Sequence, residues 1–489
     1  MGLSNSAIGR VTGIDVTYQN FNLGRALFLP QRLALIGQGS STVTYSLTPR
    51  LINSSGDAGT TYGFGSPIHL AALALFPANN DGIGGIPVTV YPLVDDGAGV
   101  PATGSIDLAG TSTEQGTGVV YVGGITSAQF TIPSGTAADD ALALIKTAID
   151  SILAQPFLTG TVLAGALPIT AKWDGDSGND ISIDVSDLDI AGLTFSTTVM
   201  ATGAANPDVD DALNMIVNVW ETMVLNCMNY SDLTTLGKFQ AWGEGRWGNL
   251  VKKPAVVAVG SVDNFATRTA ITDARKDDKI NFLIQSIGSR ELPFVIAARG
   301  LAKDIMPTAN DNPAQNYKGK LTQLQAGIDS VQESYTIRNN AMKLGASTNV
   351  LTGSVAELSD IVTFYHPAGE PIPAFRYVVD IVKLQNILFN CELIFASDDW
   401  KGAPLLPDGT PTTNPTAKQP KNARTALGNL ADSLASSAII AEPEFTRANL
   451  TVDIDSQNPK RLNWKFPVKL SGNTEVISGD ILFGFFLSE

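Results

Sequence analysis

Residues 31–39, QRLALIGQG, read as a short strand, apolar at Leu33, Leu35 and Ile36 and closed by Gly37 and Gly39. A continuous apolar run bounded by turn residues marks a strand covered on both faces, as strands of a parallel sheet are. Working outward, residues 66–76, SPIHLAALALF, follow as a helix with Pro67 in its first turn, and residues 86–94, IPVTVYPLV, as a second strand. Strand, helix and strand in this order make an α/β unit. The same texture resumes after residue 205. Helices over 231–245 and 263–278 alternate with buried strands at 253–261 (KPAVVAVGS), 280–288 (INFLIQSIG) and 292–300 (LPFVIAARG). A mostly parallel sheet covered by helices is expected.

Between these halves the texture changes. After the turn-rich seam DDGAGVPATGS (95–105), short β-like runs rich in Gly, Thr and Ser occupy residues 104–202, interrupted by one amphipathic helix, TAADDALALIKTAIDSIL (136–153). This reads as a small β-rich, α+β domain inserted between two α/β elements. Further on, 361–399 contain a long apolar helical stretch, 401–420 a proline-rich loop and 421–439 a last helix. ANLTVDIDSQNPKRLNWKFPVKL (448–470) is two β-like runs meeting at an Asn-Pro turn. The fold class is therefore multidomain, α/β and α+β: an α/β sheet core, an inserted β-rich domain, and extended N- and C-terminal arms. The division expected is an arm at 1–24, a middle α/β domain from 25–95 plus 205–360, an insert at 96–204, an inner domain at 361–472 and an arm at 473–489.

Composition narrows the partners. The 489 residues are 44% apolar and 16% charged, with 47 acidic against 32 basic side chains and a net charge of −15. That describes a folded chain and disfavours direct contact with nucleic acid or an anionic membrane surface. No apolar run approaches the roughly 20 residues that span a bilayer, and the first residues lack a secretion signal, so a chain soluble in the cytoplasm at synthesis is expected. Cys227 and Cys391 lie in apolar, helix-like contexts and read as a buried, reduced pair, with one disulfide between them as the alternative.

Catalytic signals are weak. The two histidines, His69 and His366, have no companion ligand at metal-binding spacing. Gly243, Gly245 and Gly248 form a literal G-x-G-x-x-G, but it follows a helix and precedes a strand, the reverse of a pyrophosphate-binding turn, and reads as a helix stop and loop. The turn after the first strand has the right context with only Gly37 and Gly39, and no P-loop occurs. Asp174, Asp176 and Asp180 crowd one turn, yet Gly178 stands where an EF-hand needs its fifth-position oxygen. No metal, cofactor or catalytic residue is assigned.

The chain ends on ISGDILFGFFLSE (477–489). Ile481, Phe483, Phe485 and Leu487 would fill one face of a strand, with Leu482 and Phe486 on the other. A terminus apolar on both faces is expected to be covered by protein. At the other end, GRVTGIDVTYQN carries the β-formers Val11, Thr12, Ile14, Val16 and Tyr18.

The order of features resembles the contractile tail sheath proteins of phages and related injection particles, in particular the Mu-like group. The resemblance rests on PQRLALIGQGS, on IPVTVYPLVDDGAGVPATGSIDLAGTST running into the insert, and on GDSGNDISI and VMATGAANPDVDDAL closing it. It continues through IRNNAMKLGASTNVLTGSVAELSDIVTFY and FTRANLTVDIDSQNPKRLNWKFPVKLSG. It implies a structural protein that forms stacked hexameric rings around a tail tube protein, bounded by baseplate and tail terminator proteins. Such a sheath is assembled in the host bacterial cytoplasm, is carried in the virion, and contracts to drive the tube through the host envelope. It further implies strand exchange between subunits through the arms, by Val11, Ile14, Val16, Tyr18, Ile481, Leu482, Phe483, Phe485, Phe486 and Leu487. Gly472 and Asn473 would then be a hinge for the C-terminal arm, and Lys418, Lys421 and Arg424 are the candidate tube contact. The insert is expected to point outward. The competing readings are an α/β enzyme on a nucleotide-binding-like sheet and another β-rich virion structural protein.

Overall fold

The computed structural model describes residues 26–248, 250–319, 332–352, 355–369 and 374–483. The chain divides into two compact units, Phe28–Asn386 and Met1–Leu27 with Ile387–Glu489, the division falling inside the helix Val378–Ala396.

In the first unit, β1 (Leu33–Gln38), β2 (Arg50–Ile52) and β3 (Val88–Leu93) begin the main sheet. The insert follows. Its long strands are β4 (Pro101–Gly110), β9 (Phe157–Thr159), β10 (Ala166–Asp174) and β12 (Leu193–Ala201). Its short ones are β5 (Gly116–Gly118), β6 (Tyr121–Val122), β7 (Ile125–Thr126), β8 (Phe130–Ile132) and β11 (Ile183–Asp184). The main sheet then resumes with β13 (Met223–Asn226), β14 (Val256–Ser261) and β15 (Asn281–Gln285), and a hairpin of β16 (Thr348–Thr352) and β17 (Val355–Asp360) comes later.

The main sheet has the order β15-β14-β13-β1-β3-β2, parallel except for the edge strand β2. Its central strands are buried along their whole length, with Leu35 level with Val90 on one side and Leu225 on the other. Burial on both faces explains why these strands read as unbroken apolar runs. The insert obeys the other rule. In β4, buried Ala102, Ile106 and Leu108 alternate with outward Thr103, Ser105 and Asp107, because its antiparallel sheet, β12-β4-β10-β9, covers one face with the helix Ala138–Asp150.

Three expectations are corrected. The stretch leading to Cys227 is not helical: Met223–Asn226 is the strand β13, paired with β1 and β14 and buried on both faces. Residues 292–300 form no strand: Pro293–Gly300 is a helix, with Pro293 in its first turn, where the missing N–H costs nothing. An eight-residue apolar run fits a buried helix as well as a buried strand. The helix lies so close to β14 that a Cβ on Gly260 would come 1.6 Å from the Pro293 carbonyl oxygen. Likewise, Gly243 and Gly245 do not stop a helix but lie within Leu233–Arg246. Gly243 is there for close packing, since a Cβ would sit 2.4 Å from Ile280.

In the second unit the helix Pro420–Ser436 buries Ala423, Leu427, Leu430, Ala431 and Leu434, a stripe at helical spacing. A short helix, Pro443–Asn449, leads to β18 (Thr451–Ile454) and β19 (Leu462–Lys465), an antiparallel ribbon with Val452 opposite Trp464. The Asn-Pro turn between them is organised by Asp455. Its Oδ1 accepts from the amides of Gln457 (2.9 Å) and Asn458 (3.0 Å), and its Oδ2 from Asn463 Nδ2 (3.0 Å). These donors hold its carboxyl below the usual range. The two cysteines are buried and free, and burial raises both thiols, Cys391 to about 12.

Candidate assembly interface

A parallel α/β sheet holds a ligand outside the carboxyl ends of its strands, where the strand order reverses. Here that point lies between β1 and β13, and the insert fills it. Gln38, the last residue of β1, donates through Nε2 to the Asp174 carbonyl (2.8 Å) and to Asp95 Oδ1 (2.6 Å). Ser41 N donates to the Lys172 carbonyl (2.7 Å), Lys172 Nζ to the Phe64 carbonyl (3.1 Å), and Asn229 Nδ2 to Asp180 Oδ2 (3.0 Å). Gly37, the first glycine of the turn, packs on Cys227, 3.0 Å from where its own Cβ would be. Protein occupies the crevice in which a nucleotide would lie.

The titratable groups of that region have structural partners. His69 is buried, and its Nδ1 accepts from Gly65 N at 2.9 Å. Burial, with Lys172 nearby, lowers its pKa to about 4, so the ring is neutral at pH 7. His366 faces the Phe364 carbonyl (2.6 Å) and Asp273 (3.2 Å). The acidic turn becomes a short 3₁₀ helix within the insert, Asp176–Asp180, packed on the insert's own sheet of β4, β10 and β12. Burial raises Asp180 to about 7, and Asp176 and Asp263 add to the rise. Among the described residues no three His, Cys, Asp or Glu side chains gather as a metal-binding group.

The second unit offers a different kind of site. Among the described residues β18 and β19 pair only with each other; on β18 the Val452 carbonyl accepts from Arg424 (3.2 Å), while β19 has no strand on its outer edge. Trp464 on β19 stacks on Phe395 (centroids 5.6 Å apart, planes at 21°), and Phe395 meets Trp400 edge-on at 5.3 Å. After Leu470, bridged to Ile440, the described chain forms no further strand. Val476, Ile477, Ile481 (89% exposed), Leu482 (96%) and Phe483 (90%) are bare. A run of large apolar side chains at such exposure marks a surface meant for another protein.

Of the residues read from sequence, Ile481, Leu482 and Phe483 thus lie on this bare segment. Val11, Ile14, Val16, Tyr18, Phe485, Phe486 and Leu487 lie outside the described residues. A Cβ on Gly472 would meet nothing within 4 Å, and Asn473 follows it. Lys418, Lys421 and Arg424 gather where the proline-rich loop meets the helix Pro420–Ser436. Lys418 Nζ lies 5.8 Å from the Trp400 ring centroid and 4.0 Å from Asp399, Lys421 N donates to Asp408 (2.8 Å), and Arg424 pairs with Asp408. Sequence reasoning missed Arg447, which pairs with Asp432 and Glu444 and lines one depression with Arg424. Nothing in the sequence marks it, and a Cβ on the neighbouring Gly428 would lie in ordinary contact with it, 3.8 Å from Nε.

Along almost its whole length the chain is similar to a tail sheath protein of the Mu-like group. The relative is the Mu-like prophage FluMu tail sheath protein of Haemophilus influenzae, 23% identical over 476 residues, 95% of this chain and 96% of the relative. It bears out the resemblance read from the sequence, and with it the role of structural sheath subunit. No family model matches. Among solved structures, a sheath tail protein from Listeria innocua aligns over 92% of this chain and 94% of its own at 11% identity and TM-score 0.49. The sheath complex of an extracellular contractile injection system, in its contracted state, aligns over 97% and 98% at 9% identity and TM-score 0.44.

Proposed function

We propose that this chain polymerises as stacked hexameric rings around a tail tube protein and contracts to drive that tube through a host envelope. Strands donated through both arms link the subunits. The observation that carries the reading is the bare apolar segment at 476–483 in a unit whose two-stranded ribbon leaves the outer edge of β19 without a strand among the described residues. A ribbon of two strands is marginal alone, and a strand added to its edge supplies backbone hydrogen bonds that join one copy to the next. A head-to-tail link that does not close generates a helical tube.

In this reading the arms are residues 1–24 and 473–489, the middle domain is 25–95 with 205–360, the insert is 96–204 and faces outward, and 361–472 form the inner domain. Gly472 and Asn473 let the donated arm swing, and Lys418, Lys421 and Arg424 face the tube. Baseplate and tail terminator proteins bound the polymer, which is assembled in the host cytoplasm, makes no contact with nucleic acid and enters no membrane. The protein carries no catalytic activity, and the filled crevice of the main sheet supports that view against the enzyme alternative.

The test compares the full chain with a variant ending at Val476, by negative-stain electron microscopy and by thermal melting. Full-length protein should form striated tubes. The shortened one should melt at the same temperature and form none. Normal tubes from the shortened protein would refute strand donation by the C-terminal segment.

A further inference from the structure

At the amino ends of the parallel strands, two loops are bound into one raised turn. The loop before β13 and the loop before β14 converge on Arg246, which is buried at the end of its helix. Arg246 donates to the carbonyls of Ile216 (3.1 Å), Val217 (3.1 Å), Val219 (2.6 Å) and Lys253 (3.2 Å). Lys253 Nζ returns a bond to the Asn218 carbonyl at 2.6 Å, and Lys252 holds a left-handed φ of 52° in a turn closed onto Gly248. This frame presents Leu250, wholly exposed, with Val217, Val219 and Val251 also exposed around it. Lys252 has no acidic partner among the described residues.

At the carboxyl end of the same sheet lies an open depression of about 210 Å³. Its walls include Leu47, Val94 and Met215, of which Leu47 and Val94 are exposed, and its rim carries Asp96, Asp208 and Asp211. Asp208 is paired with Lys238, whereas Asp96 and Asp211 have no cationic partner among the described residues. A cavity of about 150 Å³ suffices to hold a benzene ring. This one has room for an aliphatic side chain.

One end of the sheet thus carries an apolar knob beside an unpaired lysine, and the other an apolar hollow rimmed by unpaired carboxylates. We propose that the Leu250 turn of one subunit seats in the depression beside Val94 of the next copy, with Lys252 against Asp96 and Asp211. The occupant is a second copy of this chain because both halves of the contact are on it and their charges are opposite. Since the halves lie at opposite ends of one parallel sheet, the contact is head to tail, joining unlike surfaces, and it makes a ring or a helix according to the rotation between copies. The inference rests on the reading of the chain as a self-assembling sheath subunit, and adds to the strand links a contact between α/β units.

Two sets of variants of the full chain test it, each first checked for an unchanged melting temperature. In the first, Leu250→Cys and Val94→Cys are combined, and the protein is oxidised after assembly; Cys227 and Cys391 are buried and add no background. A ladder of covalent oligomers is expected on a non-reducing gel, and no ladder from either single variant. In the second, Lys252→Glu and Asp211→Lys each place like charges together and should raise the concentration needed for assembly about tenfold or more, while the double variant recovers. Tubes that form without a ladder, or a covalent dimer from Leu250→Cys alone, would overturn the knob-and-hollow contact and leave the sheath reading standing. A ladder without tubes would support the contact and overturn the sheath reading. Neither ladder nor tubes would overturn both.

Discussion

Replacing Asp180 by asparagine isolates the cost of docking the insert on the main sheet. The carboxylate sits at the end of the Asp176–Asp180 turn, accepts from Asn229 Nδ2 at 3.0 Å, and is raised from 3.8 to about 7 by burial first, then by Asp176 and Asp263. A raised acid is protonated in the fold at pH values where it is ionised in the unfolded chain, so the folded state binds more protons and stability falls as pH rises from about 4 to about 7. At 1.36 kcal/mol per pH unit, the penalty reaches at most about 2 kcal/mol at pH 5 and about 4 kcal/mol at pH 8. Asp180→Asn keeps an acceptor for Asn229 and removes the charge. The variant should therefore exceed the parent in stability by a margin that grows by about 2 kcal/mol between pH 5 and pH 8. His69, held neutral with a pKa near 4, contributes the opposite slope, losing stability as pH falls from about 6.5 towards 4, and does so equally in both proteins. Urea titrations followed by tryptophan fluorescence read the stability, with the insert represented by Trp173, fully buried there and one of six tryptophans in the chain. Parallel pH profiles, or a variant weaker at pH 8, would refute the reasoning.

Gly260→Ala places a Cβ 1.6 Å from the Pro293 carbonyl oxygen, backbone that cannot move without shifting the helix Pro293–Gly300 off the sheet; a loss of about 3 kcal/mol or more should appear as insoluble expression or a collapsed melting temperature. Arg246→Met keeps the buried stem but leaves four carbonyls without their donor, and should cost about 2–4 kcal/mol, read by thermal melting. Gly472→Pro should leave assembly intact and impair contraction, scored by tube length and width after a contraction trigger; normal contraction would remove the hinge from this position.

Elements whose signal is local could be read before the structure. β1, β14 and β15 are runs buried on both faces, and the Asn-Pro turn between β18 and β19 carries its own chemistry in Asp455 and Asn463; β13 was not legible, because four apolar residues running into Cys227 read equally well as helix. The helix Pro293–Gly300 was not legible, because an apolar octapeptide has no polar face to reveal its period. Gly243 was misread for a related reason: a helical glycine that admits a neighbour's Ile280 looks, in one dimension, like a helix end. The filled crevice was hidden by distance, since Gln38 and Asp174 are 136 positions apart and neither residue type is unusual where it stands. The same holds for Arg246, whose acceptors at 216–219 lie about thirty residues upstream and are backbone atoms with no identity in sequence. Of the assembly residues, the apolar end announced itself by composition. The pairing of Arg424 with Asp408 depended on the path of a proline-rich loop and did not.

The outer edge of β19 presents backbone amide and carbonyl groups, which are neutral. Hydrogen bonds between such groups carry no net charge for dissolved ions to screen, in contrast to lysine facing aspartate across a wet surface. Raising ionic strength should therefore loosen a polymer of this chain unevenly, sparing joints made by backbone while weakening those made by charge. A tube taken through a salt gradient would come apart into strand-linked ribbons before it came apart into single subunits.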